Sequence, residues 1–326
     1  MTSPNTTFTE LSAITYRKFK QKYLADNVSN HTALYNRIAK KGNVKTTSGG
    51  TSIQIPLDYA ENSTYQRYSG YDTLNVGASE VITAAEYQWR QVAVHVTASG
   101  RELRINSGKE AMVNLVQARL KNAMRTAGNN FSADMYSDGT AANQINGLQT
   151  LVDDAGTDTV GGIDASANAF WRNKVQSAAA PLQGGTITPS ATAGVMEEFF
   201  LGLWLALTRN NDKPDLILLD DTYFSFYENG LTGIKRYTAS DEGQGGFMSL
   251  KYKSADVVYD SADAGMPDAH GYMLNTNYIG ITAHTDANWT EVPEKTSVNQ
   301  DAVVMPIIWM GNMWCSNRAL QGVLKA

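Results

Sequence analysis

The sequence predicts an α+β fold, and three observations carry that prediction. Ser107-Gly108-Lys109-Glu110 is a capping-box pattern placed directly before an apolar periodicity, which predicts a long helix over residues 107–136. Gln88-Trp89-Arg90-Gln91-Val92-Ala93-Val94-His95-Val96 alternates at the period of two that marks a half-buried strand. Leu216-Ile217-Leu218-Leu219 is a continuous apolar run of strand length ending at Asp220-Asp221, and it follows a helical pattern over 195–210. Long helices and buried strands in one chain require layers of both kinds around a shared core.

Composition narrows the functions open to such a fold. The chain has 326 residues, 42% hydrophobic and 18% charged, the latter below the roughly 25% of an average domain. Its only cysteine, Cys315, permits no intrachain disulfide and no cysteine-based metal cluster. A formal charge of -5 supplies no overall basic field, which disfavours a nucleic-acid reader. The longest apolar run, residues 199–207, is far short of the ~20 residues of a membrane helix. The N-terminus has no basic segment followed by an apolar one, so a cytosolic protein is expected.

The elements follow in order. Residues 1–45 carry two short helical patterns (Leu11, Ile14, Phe19, Tyr23; then Leu34, Ile38) ending in Lys40, Lys41 and Gly42, cations that suit a helix C-terminus. Ser52-Ile53-Gln54-Ile55 and the alternating run at 88–96 read as the arms of a hairpin. Between them Tyr59, Tyr65, Tyr68 and Tyr71 interleave with Asp58, Glu61, Asn62 and Arg67, too polar for a core and too aromatic for an ordinary loop. With arms of about 20 residues at ~3.3 Å each, the hairpin would reach about 60 Å, and a two-stranded ribbon of that kind needs another subunit to lie on.

The helix over 107–136 carries Met112, Val116, Leu120, Met124, Ala127, Phe131 and Met135 on one stripe, a core-packing pattern, in a rod of about 45 Å. Gly128 weakens its last turns by about 1 kcal/mol, and Asp138-Gly139 stops it. Glu197 and Glu198 open the next helix, where its dipole favours acids. Further strands are expected at 255–259, 271–274, 278–281, 303–310 and around 318–324.

No catalytic or metal motif emerges. His31, His95, His270 and His284 lack the spacing of helical metal ligands. Ser107-Gly108-Lys109 is no phosphate loop, because Leu103 replaces its leading Gly and Glu110 its hydroxyl. Cys315, in an apolar strand context, reads as a small core residue. Asp153-Asp154 and Asp220-Asp221 invite comparison with a glycosidase pair, but sequence neighbours seldom face each other, and loop and helix-cap roles are expected.

Several stretches are similar to those of phage and prophage capsid subunits: Asn143-Gln144-Ile145-Asn146-Gly147-Leu148-Gln149-Thr150-Leu151-Val152, Gly161-Gly162-Ile163-Asp164, Phe170-Trp171-Arg172-Asn173 and Ser316-Asn317-Arg318-Ala319-Leu320-Gln321-Gly322. With the order of elements, the chain resembles tailed-phage major capsid proteins of the Hong Kong 97 fold. The resemblance implies an N-terminal arm at 1–45, an extended loop with its base strands at 46–100, a peripheral domain at 101–140 and 287–326 built on the long spine helix, and an axial domain at 141–286. It implies a structural protein without catalytic residues, cofactor or metal, self-assembling into pentamers and hexamers of an icosahedral head that encloses double-stranded DNA without reading its sequence. Intersubunit contacts are then expected at Tyr59, Tyr65, Arg67, Tyr68 and Tyr71, and packing along the spine at Met112, Val116, Leu120, Met124 and Phe131.

Two departures qualify the resemblance. No lysine lies between Lys45 and Lys109, so an isopeptide crosslink from the extended loop is not expected, and shell strength falls to noncovalent contacts or a decoration (cement) protein. The spine helix begins too early for a long scaffolding region ahead of it, which, with Met1 in place, implies a separate scaffolding protein. A portal protein completes the expected partners. Other readings are a tail-tube subunit, which would lack the spine helix, and a carbohydrate-active enzyme using Asp153, Asp154, Asp220 or Asp221.

Overall fold

A computed structural model describes residues 33–105, 115–231, 249–293, 295–296 and 300–326. Two six-stranded sheets organise it. In the first, the 14-residue strand β15 (Ala302–Cys315) is the spine of the sheet. Along one side it pairs with β4 (Arg90–Ser99) from Ala302↔Ser99 to Gly311↔Arg90. Along the other it meets β14 (Lys295–Thr296), β13 (Thr290–Glu291) and β12 (Ile279–His284), and β1 (Val44–Thr47) joins β12 in parallel.

The second sheet runs β7 (Lys174–Ser177), β16 (Gly322–Lys325), β11 (His270–Leu274), β8 (Leu216–Leu219), β10 (Ala255–Tyr259) and β9 (Ser249–Tyr252). All four residues of β8 are buried, and side-chain alternation explains why the run is apolar throughout. Leu216 and Leu218 enter the main core. Ile217 and Leu219 enter a second core beneath α5 (Val195–Leu207) and α6 (Asp221–Gly230). A strand covered on both faces needs no polar side. The expected strand runs at 216–219, 255–259 and 271–274 all lie in this sheet. The expected strand around 318–324 is instead a 3-10 turn, Arg318–Leu320, followed by β16.

Helix α1 (Ala33–Lys40) buries Leu34 and Ile38 and holds its charges against the second sheet. Arg37 reaches Asp215 and Asp256 at 3.4 and 3.3 Å, and Lys41 reaches Asp215 at 3.1 Å. Its Lys40–Gly42 end thus anchors to carboxylates in addition to its own dipole.

Of the long helix expected over 107–136, α3 (Leu115–Asp134) is described. It passes through Gly128 and ends one turn before the expected Asp138-Gly139 stop. The expected start at Ser107 and Met112 lie outside the described residues, as do the first 32 residues. Val116 lies outside the residues whose side chains are described; among the described residues of the stripe, Ala127, Phe131 and Met135 are buried. Phe131 meets Trp309, Trp289 and Tyr35 edge-on with centroids at 4.9, 5.7 and 6.2 Å. Leu120 is half-buried and Met124 is 41% exposed. Tyr136, just past the helix, donates to Asp260 Oδ2 at 2.6 Å, and burial pushes that carboxyl up to about 6.

A second capping box went unread in the sequence. Ser99-Gly100-Arg101-Glu102 repeats the pattern of Ser107-Gly108-Lys109-Glu110 and opens α2 (Gly100–Ile105). Ser99 N–H donates to Glu102 Oε2 at 3.0 Å while Glu102 N–H donates to Ser99 Oγ at 3.3 Å. The two guanidinium bonds from Arg119 in α3, at 3.0 and 3.1 Å, hold the Glu102 carboxyl down to about 2. The cap therefore also fixes α2 against α3.

Candidate intersubunit surface

The hairpin differs in length from its expectation. β2 (Ile53–Asp58) pairs with β3 (Ile82–Tyr87) over six positions, Ile53↔Tyr87 to Asp58↔Ile82. The alternating run at 88–96 is not its second arm. After Tyr87 the chain turns, and β4 joins β15, which offers ten partners where β2 offers six. The paired ribbon is thus about 20 Å long at ~3.3 Å per residue, not 60 Å, and residues 59–81 form a loop beyond it.

The base of the ribbon is rigidly set. Ile53, Leu57, Ala85 and Tyr87 are buried in the main core. Tyr87 Oη donates to Cys315 O at 2.8 Å and accepts from Cys315 N–H at 3.2 Å, tying β3 to the end of β15. Burial keeps the Cys315 thiol protonated, its pKa pushed up to about 12, which suits the expected core role. Glu86 N–H donates to Gly161 O at 2.9 Å, in the turn between β5 (Thr159–Val160) and β6 (Ile163–Asp164). Gly161 has φ +61°, and a Cβ there would lie 2.9 Å from that of Ala85, so only glycine lets the two hairpins approach this closely.

The tip is organised by its own polar groups. Gln66 Nε2 donates to Thr73 O at 3.1 Å and its Oε1 accepts from Asn75 N–H at 3.0 Å. Asp72 Oδ2 accepts from Ser69 N–H at 2.8 Å. With these residues bonding across the loop, the aromatics point outward: Tyr65, Tyr68 and Tyr71 are 83, 65 and 107% exposed, and Val76 is 92% exposed. Arg67 is also exposed. Tyr59, at the foot, is partly covered by Phe170 at 5.6 Å between centroids. The structure thus brings Tyr65, Arg67, Tyr68 and Tyr71 onto one projecting tip and leaves Tyr59 near the body.

The four aspartates considered for catalysis hold structure. Asp220 caps α6, accepting from Tyr223 N–H at 3.0 Å, and accepts from Ala269 N–H at 2.9 Å. Asp221 occupies the exposed first turn. Asp153 is buried and accepts from Arg318, which has no exposed surface. All five guanidinium N–H groups are used: Nε to Leu151 O at 2.7 Å, Nη1 to Asp158 O and Trp171 O at 3.2 Å each, and Nη2 to Asp153 and Asn173 Oδ1. Three of the sequence stretches quoted above, containing Leu151, Trp171 with Asn173, and Arg318, meet at this one side chain. The sequence reading missed it because a lone arginine carries no pattern.

Asp154 pairs with His270, Oδ2 to Nε2 at 3.0 Å, while His270 Nδ1 faces Asp268 O at 2.8 Å. Both ring nitrogens meet acceptors, so the hydrogen bond to Asp154, foremost, raises the imidazole pKa above its ordinary 6.5, and the same bond lowers that of Asp154. The histidine's stabilisation is complete below pH 6.5 and lost as pH rises through its raised pKa. The aspartate's is complete above 3.8 and lost on acidification. An NMR titration is expected to place the His270 midpoint above 6.5, with Asp154→Asn moving it back down.

No family model and no curated protein matches the sequence. Solved structures do. A chain of the cyanophage A-1(L) capsid asymmetric unit superposes with a TM-score of 0.68 at 16% identity, covering 93% of this chain and 94% of that one. A chain of the cyanophage P-SCSP1u capsid gives 0.58 at 13% identity, over 94% and 91%. A chain of the native GTA particle capsid gives 0.51 at 13% identity, over 94% and 95%. Across nearly its whole length, the chain has the α+β fold of phage capsid subunits.

Proposed function

We propose that this chain is the major capsid protein of a tailed phage with the Hong Kong 97 fold. Copies assemble into pentamers and hexamers of an icosahedral head around double-stranded DNA, and the role is structural rather than enzymatic. The observation that carries this is the end-to-end likeness to capsid subunits, one of them solved in a particle computed with C5 symmetry. The outward aromatic tip supports it, since Tyr65, Tyr68 and Tyr71 are largely exposed. On the outer face of α5, Leu201 and Leu205 stand one turn apart at 41 and 64% exposure, suited to contact between axial domains around a capsomer centre. The charge of -5 avoids an attractive wall for packaged DNA. A separate scaffolding protein, a portal and a decoration protein complete the proposed partners, with assembly in the host cytoplasm.

Shell contacts from the loop are noncovalent. Digestion of assembled particles and mass spectrometry are expected to find no intersubunit isopeptide bond originating in residues 46–100, and finding one would contradict this. Assembly itself is tested by sedimentation velocity of the purified protein. Rings of five or six copies, or larger shells, are expected, and a monomer that persists at high concentration overturns the assignment.

A further inference from the structure

We propose that the open edge of β4 joins the same edge of a second copy of this chain, antiparallel and about a two-fold axis at Ala93, into one continuous sheet. The inference rests on the proposed self-assembly and assigns it a contact separate from the hairpin.

Which backbone groups of β4 are open follows from its pairing with β15. In an antiparallel pair, facing residues either exchange both hydrogen bonds or turn both sets of groups away. Met310 N–H donates to Ala287 O and Pro306 O accepts from Val292 N–H, each at 2.8 Å, so these two residues turn away from β4. Their partners Gln91 and His95, and Ala93 between them, therefore direct N–H and C=O to the outer edge. At the next two such positions an outward group is already met: Thr97 O accepts from Arg119 at 2.9 Å, and Ser99 N–H donates to Glu102 at 3.0 Å. At Gln91, Ala93 and His95 the backbone groups have no partner among the described residues.

An edge of this length invites pairing unless charge, proline or a bulge blunts it. The other edge strands of the two large sheets each carry a charge: Lys45 in β1, Glu291 in β13, Lys295 in β14, Lys174 in β7 and Lys251 in β9. Residues 91–97 of β4 hold no Lys, Arg, Asp, Glu or Pro, and their register with β15 runs without a bulge.

The pattern of open groups selects the chain's own copy as partner. Centring on Ala93 sets Ala93 against Ala93 and Gln91 against His95, which uses both groups at all three open positions and puts no acid or base against its like. Moving the axis to His95 would set Ala93 against Thr97, whose carbonyl Arg119 already occupies. Helix α3 runs beside this stretch, with Arg119 at Thr97 and Phe131 against Trp309, the partner of Val92. Met124, between them and 41% exposed, gains an apolar neighbour when two α3 helices lie side by side on one face of the joined sheet.

Ala93→Cys and Thr97→Cys, each assembled and mildly oxidised, test the axis by peptide mapping with mass spectrometry. A disulfide joining residue 93 of two chains is expected in the first. None is expected between residues 97 in the second, because the register puts them about 26 Å apart, beyond the ~7 Å reach of a disulfide. Assembled particles without the 93–93 bond, or with both bonds equally, overturn this inference alone. Parent protein that sediments only as monomer overturns the capsid assignment and this inference with it. Ala93→Pro gives a second reading, since it removes an N–H that β15 does not use and proline is tolerated on an edge strand. Its thermal melt is expected to match the parent's while the concentration needed for assembly rises at least tenfold. Assembly at the parent's concentration overturns the pairing.

Discussion

Replacing Arg318 with methionine is expected to destabilise the folded chain by about 3–5 kcal/mol, the usual cost of removing one partner of a buried ion pair. Methionine fills much of the arginine's volume, so the loss comes from polar groups rather than from a cavity. Asp153, buried, would be left with the Thr157 and Asp158 N–H groups at 3.1 and 3.3 Å in place of the guanidinium. The carbonyls of buried Leu151 and Trp171 would lose the guanidinium donor. Since whole domains are stable by about 5–15 kcal/mol, most of this protein is expected to be lost to aggregation on expression. Arg318→Lys should rescue little, because an ammonium has three donors in place of a five-donor planar fork. Urea unfolding measures both, and a midpoint for Arg318→Met within about 1 kcal/mol of the parent would show that the guanidinium does not hold this junction together.

Changing Tyr65, Tyr68 and Tyr71 together to serine is expected to separate assembly from folding. All three side chains project into solvent, so the unfolding free energy should move by no more than about 0.5 kcal/mol per site. Assembly should nearly vanish. An aromatic anchor at the centre of an interface contributes about 2 kcal/mol or more, which is about 30-fold in affinity, and in the proposed shell every subunit would both give and receive a loop. Thermal melts that coincide with the parent, beside sedimentation profiles that stay at small species, are the expected pair of results. Unchanged shells would mean that the tip lies free in the particle.

How far the sequence revealed this molecule depended on whether an element is set by local pattern or by competition between partners. Leu216–Leu219, Ala255–Tyr259 and the helix after Gly194 are self-contained patterns, and all three appear within a residue or two of their expected limits except that α5 ends at Leu207. Asp220 as a helix cap was legible because an Asp between an apolar strand and a helical run has few other uses. The hairpin was misjudged because alternation at 88–96 reports a half-buried strand without naming its partner, and β15 is more than two hundred residues away. The capping box at Ser99 was overshadowed by its near copy at Ser107. That the tyrosines of the loop stay out of the core was legible from composition alone, and Tyr65, Tyr68 and Tyr71 are exposed. The junction at Arg318 was not, since it exists only once distant segments are folded together.

Electron microscopy of the purified particles tests the central proposal most directly. Closed shells built of fivefold and sixfold rings are expected, with the density of each hairpin tip lying on a neighbouring subunit. Tubes would point to a tail component instead, and a uniform field of single chains at high concentration would contradict a capsid role altogether.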